Sequence, residues 1–272
     1  MIHVLKLGGG AGVDHDAALH SLAARIDAGE CWVLVHGASD AANRLAEQVG
    51  YPAQTIMTAS GHTSRYTDAR TLEIFCAAAG AVNQQLTAQL HALGVNAVGL
   101  AGPNILRARR KGAIRAVRDG RPVLIRDDCT GTIHEVDAGL IRTLLETGLT
   151  PVLAPIALSE AYERLNVDGD LAAAQIARAL NAETLLILSN VPGLLRDVTQ
   201  PESLIDHIAY DQIAHYESFA CGRMKKKLLA AEQAAVARAI LSDSRLPNPI
   251  EAALAGAGTQ IVRTLTHAQQ PG

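Results

Sequence analysis

Residues 3–10, HVLKLGGG, carry a short apolar run into three consecutive glycines. A run of this length, stopped by glycine, reads as a buried strand followed by a turn whose backbone can approach a ligand or another chain segment closely. The pattern recurs at CWVLVHG (31–37) and at ETLLILSN (183–190), which runs on into VPG. AVGLAG (97–102), TPVLAPIAL (150–158) and RAILSD (238–243) read as further strands, and helical spacing predicts helices over 15–28, 39–49, 68–93, 169–181 and 224–237. Apolar strands alternating with helices imply the α/β class, with a mainly parallel sheet covered on both faces. Residues 107–136, with DGRP and CTGT turns, read as antiparallel hairpins inserted into that scheme. SEAYERLNVDGD (159–170) reads as a crossing between an N-terminal lobe, 1–165, and a C-terminal lobe, 166–262. The remainder, 263–272, reads as a disordered tail.

At 272 residues and 49% hydrophobic, the chain can bury a large core. Its apolar runs are broken well short of the roughly 18 to 20 residues of a membrane helix, and MIHVLKLGGG lacks the pattern of a signal peptide, so neither membrane nor secretion is expected. Four widely separated cysteines, in no CxxC pattern, suggest a reduced cytoplasm rather than a disulfide framework. Ten histidines in no ligand spacing give no metal site.

The chain is formally −3, yet residues 107–126, RARRKGAIRAVRDGRPVLIR, hold eight of the 24 basic residues against Asp119 alone. Removing that +7 leaves −10 elsewhere. Such a protrusion is either a solvated hairpin or a surface that attracts an acidic macromolecule. Nucleic acid is disfavoured by the acidic balance and by only eight aromatic residues.

The glycine turns carry the chemistry. Gly8, Gly9 and Gly10 end the first strand, Gly37 the second, and Gly193 a later one, all places where backbone N–H groups can approach an anion. None matches GxGxxG or GxxxxGK[ST], which disfavours a P-loop and leaves a nicotinamide-dependent dehydrogenase as a distant alternative. Lys6 sits just before the first glycines, at the strand end where α/β proteins bind ligands. Lys225, Lys226 and Lys227 are about 100° apart on a helix, so at most one or two point inward. In NVDGD, Asp168 and Asp170 open a helix, where they either cap its first turn or, for one of them, stand between two lysines around a phosphoryl group.

Taken in order, KLGGG, VHG, GHTSRYTD, NVDGD, SNVPG and GRMKKK resemble the amino acid kinase family, which includes acetylglutamate kinase, over nearly all of residues 1–262. The likeness is greatest to the branch that phosphorylates 2-aminoadipate, or glutamate, held on an acidic amino-group carrier protein in lysine biosynthesis. SGHTSRYTDARTLEIF and GRMKKK carry that distinction, since acetylglutamate kinases usually have Gly-Met where Arg223-Met224 stands here. The resemblance implies a three-layer α/β/α sandwich with an acceptor lobe and an ATP lobe. It makes Lys6 and Lys227 the phosphate-neutralising catalytic lysines and Asp170 the carboxylate that positions them, with Lys225 and Lys226 facing solvent or a partner. It gives Gly8, Gly9 and Gly37 the N–H groups for the γ-phosphoryl. Arg65 would take the acceptor's α-carboxylate, with Asn166 and Ala38 beside it, and Asn190, Gly193 and Met224 would border the nucleotide. ATP with Mg²⁺, a homodimer, and carrier-protein contact through Arg109, Arg110 and Lys111 complete the expectation.

Two departures bear on the site. The HGGG of acetylglutamate kinases is His36-Gly37-Ala38-Ser39 here, and the usual aspartate of SDVxG is Asn190. Two alternatives stand beside the carrier-dependent kinase. One is the same chemistry on N-acetylglutamate or carrier-bound glutamate, as in arginine biosynthesis; the other is a non-catalytic nucleotide or amino-acid sensor on the same fold.

Overall fold

The computed structural model describes residues 1–58, 63–118 and 121–263. The expected disordered tail therefore lies, apart from Arg263, outside the described residues, as do Gly61 and His62 of GHTSRYTD and Asp119-Gly120 of the DGRP turn. In chain order the elements begin β1 (Ile2–Leu7), α1 (His15–Asp27), β2 (Cys31–His36), α2 (Ser39–Gln48), β3 (Thr55–Thr58), β4 (Thr63–Arg65), α3 (Ala69–Ala92) and β5 (Ala97–Leu100). There follow β6 (Leu106–Arg110), β7 (Ile114–Arg118), β8 (Arg121–Ile125), β9 (Gly131–Val136), α4 (Ala138–Glu146), β10 (Thr150–Leu153), β11 (Ile156–Leu158) and β12 (Arg164–Asn166). The chain then runs through α5 (Gly169–Leu180), β13 (Thr184–Ser189), β14 (His207–Ala209), α6 (Ile213–Tyr216), α7 (Arg223–Ala234), β15 (Arg238–Asp243), α8 (Pro249–Leu254) and β16 (Thr259–Val262).

Eight strands form the central sheet, in the order β14-β16-β15-β13-β1-β2-β10-β5. Only the β15–β16 pair is antiparallel, so β16 and β14 run against the other six. Helices α4, α5 and α7 cover one face, and α1, α3 and α8 the other, giving three layers. Side chains of a strand alternate between faces. Val4, Val33, Val35, Leu185 and Ile187 accordingly enter the core under α5 and α7, while Leu5, Leu7, Trp32, Leu34, Leu186 and Leu188 enter the opposite one. Ala172, Ala173, Ala174 and Ala177 are fully buried, and their small side chains let α5 lie close on β1.

Two four-stranded sheets, β12-β11-β6-β9 and β4-β3-β7-β8, hold the hairpins of the basic region. TPVLAPIAL is not one strand. β10 stops at Leu153, and β11 starts at Ile156 in a different sheet, because Pro155 has no N–H to continue the ladder. SEAYERLNVDGD folds as local structure. Ser159 N–H donates to Glu163 O at 2.8 Å, closing a turn that pairs β11 with β12, and Asp168 then caps α5.

Candidate active site

The two first glycine turns meet at the C-terminal ends of β1 and β2. A Cβ on Gly9 would lie 2.1 Å from the Gly37 carbonyl carbon, and one on Gly37 would lie 2.5 Å from Gly9 N, so neither position has room for a side chain. Ser39 Oγ and Asp40 N both donate to Gly9 O, at 2.8 and 2.7 Å, and lock the turns together. The expected N–H donors need correction here. Gly8 N–H is already given to Leu188 O (2.9 Å) and Gly37 N–H to Leu7 O (2.8 Å), because the sheet's hydrogen bonding extends one residue past each strand. Among the described residues, the N–H groups of Gly9, Gly10 and Ala38 have no protein acceptor. They are the donors open to an anion.

Above the turns lies an ion-paired cluster. Lys6 follows the strand alternation onto the face of Val4, toward α5, where its Nζ lies 2.8 Å from Asp170 Oδ1. Lys227 Nζ reaches the other oxygen, Oδ2, at 3.1 Å. Burial alone would raise the Asp170 carboxyl, but the two ammonium charges outweigh it and hold the group well below the usual carboxylate range. Burial, reinforced by Lys6 and opposed by Asp170, pushes Lys227 below its ordinary value. Asp168 does both things its position allows: Oδ1 caps α5 by accepting from Asp170 N and Leu171 N (3.0 and 3.2 Å), and Oδ2 pairs with Lys226 at 2.9 Å. Lys226 thus faces the cleft, contrary to expectation, because positions 223, 226 and 227 share one side of α7. Lys225 is exposed on the other side.

The cluster and both turns line one cleft of about 580 Å³. Arg65 and Asn166 are on its wall with Ser39, joined by Asn43 and Thr130, which the sequence does not single out. Arg65 Nη2 donates to Ser39 O at 3.1 Å and to Asn43 Oδ1. Burial and the nearby charge of Arg223 lower its pKa. Asn166 Nδ2 donates to Thr67 Oγ1 (3.2 Å), and buried Asp128 accepts from Thr67 N and Thr130 N (3.1 and 2.9 Å), which fixes this wall. Behind Gly37, His36 is wholly buried. Asn83 Nδ2 donates to His36 Nε2 at 3.1 Å and to Val152 O at 2.9 Å, so the ring is neutral, with its proton on Nδ1 toward Gly37 O at 3.2 Å. Burial pushes its pKa down to about 4.

Asn190 lines the cleft and donates to Ala11 O at 3.1 Å, bracing the first glycine turn. Gly193 and Met224 do not line it. Gly193 (φ +152°) packs on Thr259, whose Oγ1 a Cβ would approach to 2.5 Å, and Met224 packs against the core. The basic stretch is divided. Arg109 is largely exposed and loosely paired with Glu160 at 3.8 Å. Arg110 is tied down, donating to Asp128 O (3.0 Å) and Asp127 O (3.3 Å). Lys111 lines the cleft, where desolvation and then the charge of Lys226 lower its pKa. Among the described residues no three His, Cys, Asp or Glu side chains gather as a metal ion requires, and no helix is long and apolar enough to cross a membrane.

Residues 1–241 match the profile of the amino acid kinase family. The chain is 48% identical over 264 residues to the LysW-aminoadipate kinase of Deinococcus radiodurans, covering 95% of this chain and 90% of that protein. It is 40% identical to the LysW-aminoadipate kinase of Thermus thermophilus, covering 95% of this chain and 99% of that protein. Among solved structures, N-acetylglutamate synthase from Neisseria gonorrhoeae, bound to coenzyme A and N-acetyl-glutamate, superposes with a TM-score of 0.78 at 24% identity, over 97% of this chain and 59% of that longer one. Carbamate kinase from Giardia lamblia bound to AMP-PNP gives 0.68 at 18% identity, over 97% and 98%. At these identities the structural matches speak for the fold alone.

Proposed function

The chain belongs to the amino acid kinase family, and from that premise we propose that it transfers the γ-phosphoryl group of ATP to the side-chain carboxylate of 2-aminoadipate held on an acidic amino-group carrier protein, in lysine biosynthesis. The observation that carries the reading is the Lys6–Asp170–Lys227 cluster, set over two touching glycine turns with unclaimed N–H groups. The acceptor, with a pKa near 4 for a simple side-chain carboxyl, is ionised at neutral pH, so no general base is required. One carboxylate oxygen forms a bond to the γ-phosphorus, the bond from that phosphorus to the β–γ bridging oxygen breaks, and ADP leaves with the electron pair. No proton moves. The barrier is the approach of two anions and the charge spread over the transferred group. Lys6 and Lys227 supply opposing charge, the N–H groups of Gly9, Gly10 and Ala38 supply fixed donors, and Asp170 keeps two buried ammonium groups at a set separation.

Arg65 holds the acceptor's α-carboxylate, with Asn166 beside it. Asn190 lies on the nucleotide side, and Gly193 and Met224 act there only by supporting the wall. Mg²⁺ would come with the ATP phosphates and add charge neutralisation there; among the described residues no three His, Cys, Asp or Glu side chains gather to hold it. The reading includes an acceptor lobe (1–165), an ATP lobe (166–262) and a homodimer, as the family resemblance implies, and a cytoplasmic setting, in keeping with four free cysteines. A second reading, on N-acetylglutamate, shares every residue named. Incubating the protein with ATP and each acceptor in hydroxylamine, which traps acyl phosphates as hydroxamates, separates them: carrier-bound aminoadipate should give hydroxamate and N-acetylglutamate little.

A further inference from the structure

Arg223 is left over by the chemistry above. It is the first residue of α7, behind Gly222, whose φ of +52° favours glycine. Its guanidinium lies over the first glycine turn, Nη1 being 3.3 Å from where a Cβ on Gly10 would stand. Arg65 lines the same cleft from β4 rather than from α7, and the charge of Arg223 adds to burial in lowering its pKa. Neither arginine has an acid partner among the described residues: Asp168 and Asp170 are taken by lysines, and Glu47, also on the lining, pairs with neither. Two cations lining one cleft from different elements, with no acid partner among the described residues, suit an anion that comes from outside.

Resting on the proposed kinase reading, we infer that Arg223 and Arg65 clamp the same acceptor α-carboxylate from different elements, and that this contact draws the start of α7 toward the acceptor. Arg223 and Lys227 are four residues apart on one side of that helix, so a pull on the first sets the position of the second against the phosphoryl group. Arg223 is then both a specificity residue for an acceptor with a free α-carboxylate and a positioning residue for Lys227.

The test measures steady-state kinetics and acceptor binding for wild type, Arg223→Ala, Arg223→Lys and the Arg65→Ala/Arg223→Ala pair. It uses carrier-bound aminoadipate and the same acceptor with its α-carboxylate converted to the amide. With the carboxylate, Arg223→Ala should raise the acceptor KM about ten-fold and lower kcat several-fold, with ATP affinity changed less than about two-fold and Arg223→Lys partly restored. With the amide, wild type and Arg223→Ala should differ by less than about two-fold, and the two arginine substitutions should be non-additive on the carboxylate. Circular dichroism checks folding, and Arg223→Lys answers the question if the alanine variant does not fold. An unchanged acceptor KM, or an equal loss on the amide, would overturn the clamp while leaving the kinase reading intact. A wild type inactive on carrier-bound aminoadipate would overturn both.

Discussion

Lys227 Nζ lies 3.1 Å from Asp170 Oδ2, and both side chains are only one-tenth exposed. A buried ion pair of this kind is poor evidence of stability, since desolvation offsets much of the attraction. Here the acid also holds a second lysine, Lys6, at its other oxygen. One negative charge between two positive ones leaves a net positive pocket beside open N–H groups, an arrangement suited to a phosphoryl group.

Lys6→Ala and Lys227→Ala should each lower kcat by at least ~100-fold, on the order of 3 kcal/mol of transition-state stabilisation. Lys225→Ala should stay within a few-fold of wild type, because its side chain is exposed on the far side of α7. Steady-state rates check this. A Lys225 variant as damaged as the Lys227 variant would reassign the face of the helix that matters.

The touching turns set a backbone limit. Gly9→Ala would place a methyl about 2 Å from Gly37 backbone atoms, which cannot move aside as a flexible side chain can. We expect lost activity and a Tm lower by several degrees, on the order of 2 kcal/mol or more. Gly10→Ala meets only the Arg223 guanidinium at 3.3 Å and should keep the fold. Equal Tm values for the two variants would contradict this close approach.

His36 gives a pH dependence with a defined sign. Its folded pKa of about 4 lies below the ordinary imidazole value of 6.5, so stability present above pH 6.5 is lost as pH falls toward 4. The full loss is on the order of 3 kcal/mol. His3, also lowered by burial, acts in the same direction, so a variant is needed to isolate His36. Between about pH 7.5 and about pH 4.5, the urea midpoint should fall less in His36→Gln than in wild type. Equal falls would remove His36 as the cause.

Much of this site is legible in the sequence because two periodicities fix it. Alternation from Val4 and Leu5 places Lys6 on one face of the sheet, and α-helical spacing allows only part of Lys225–Lys227 to face inward. What escaped depends on neighbours distant in the chain. The Gly8 and Gly37 N–H groups are consumed by Leu188 and Leu7, and no local pattern announces that. Lys111 reads as part of a surface charge run, but its backbone N–H donates to Thr130 O (2.9 Å) and its side chain lines the same cleft as Lys226. Nothing in the local sequence draws Lys226 inward; its partner is Asp168, which the sequence marks only as a helix-opening acid. Arg110 is a structural tie to the 127–128 carbonyls rather than a free charge.

That division changes how carrier docking should be probed. Replacing Arg110 or Lys111 would disturb the cleft wall as well as any surface contact, whereas Arg109 is exposed and only loosely paired. Arg109→Ser should lower kcat/KM for the carrier-bound acceptor about two- to five-fold at low salt, with the difference shrinking as salt screens it. Thermal midpoint and KM for ATP should stay unchanged. Full activity of this variant at low salt would return Arg109 to a solvated hairpin.

The most direct test of the central claim is hydroxamate formation from ATP and carrier-bound aminoadipate by the wild type and by Lys227→Ala, with free N-acetylglutamate in parallel. Rapid hydroxamate formation is expected only with the carrier-bound acceptor, at a rate that falls at least ~100-fold in the variant. Preferential turnover of N-acetylglutamate, or an undiminished rate in Lys227→Ala, would contradict it.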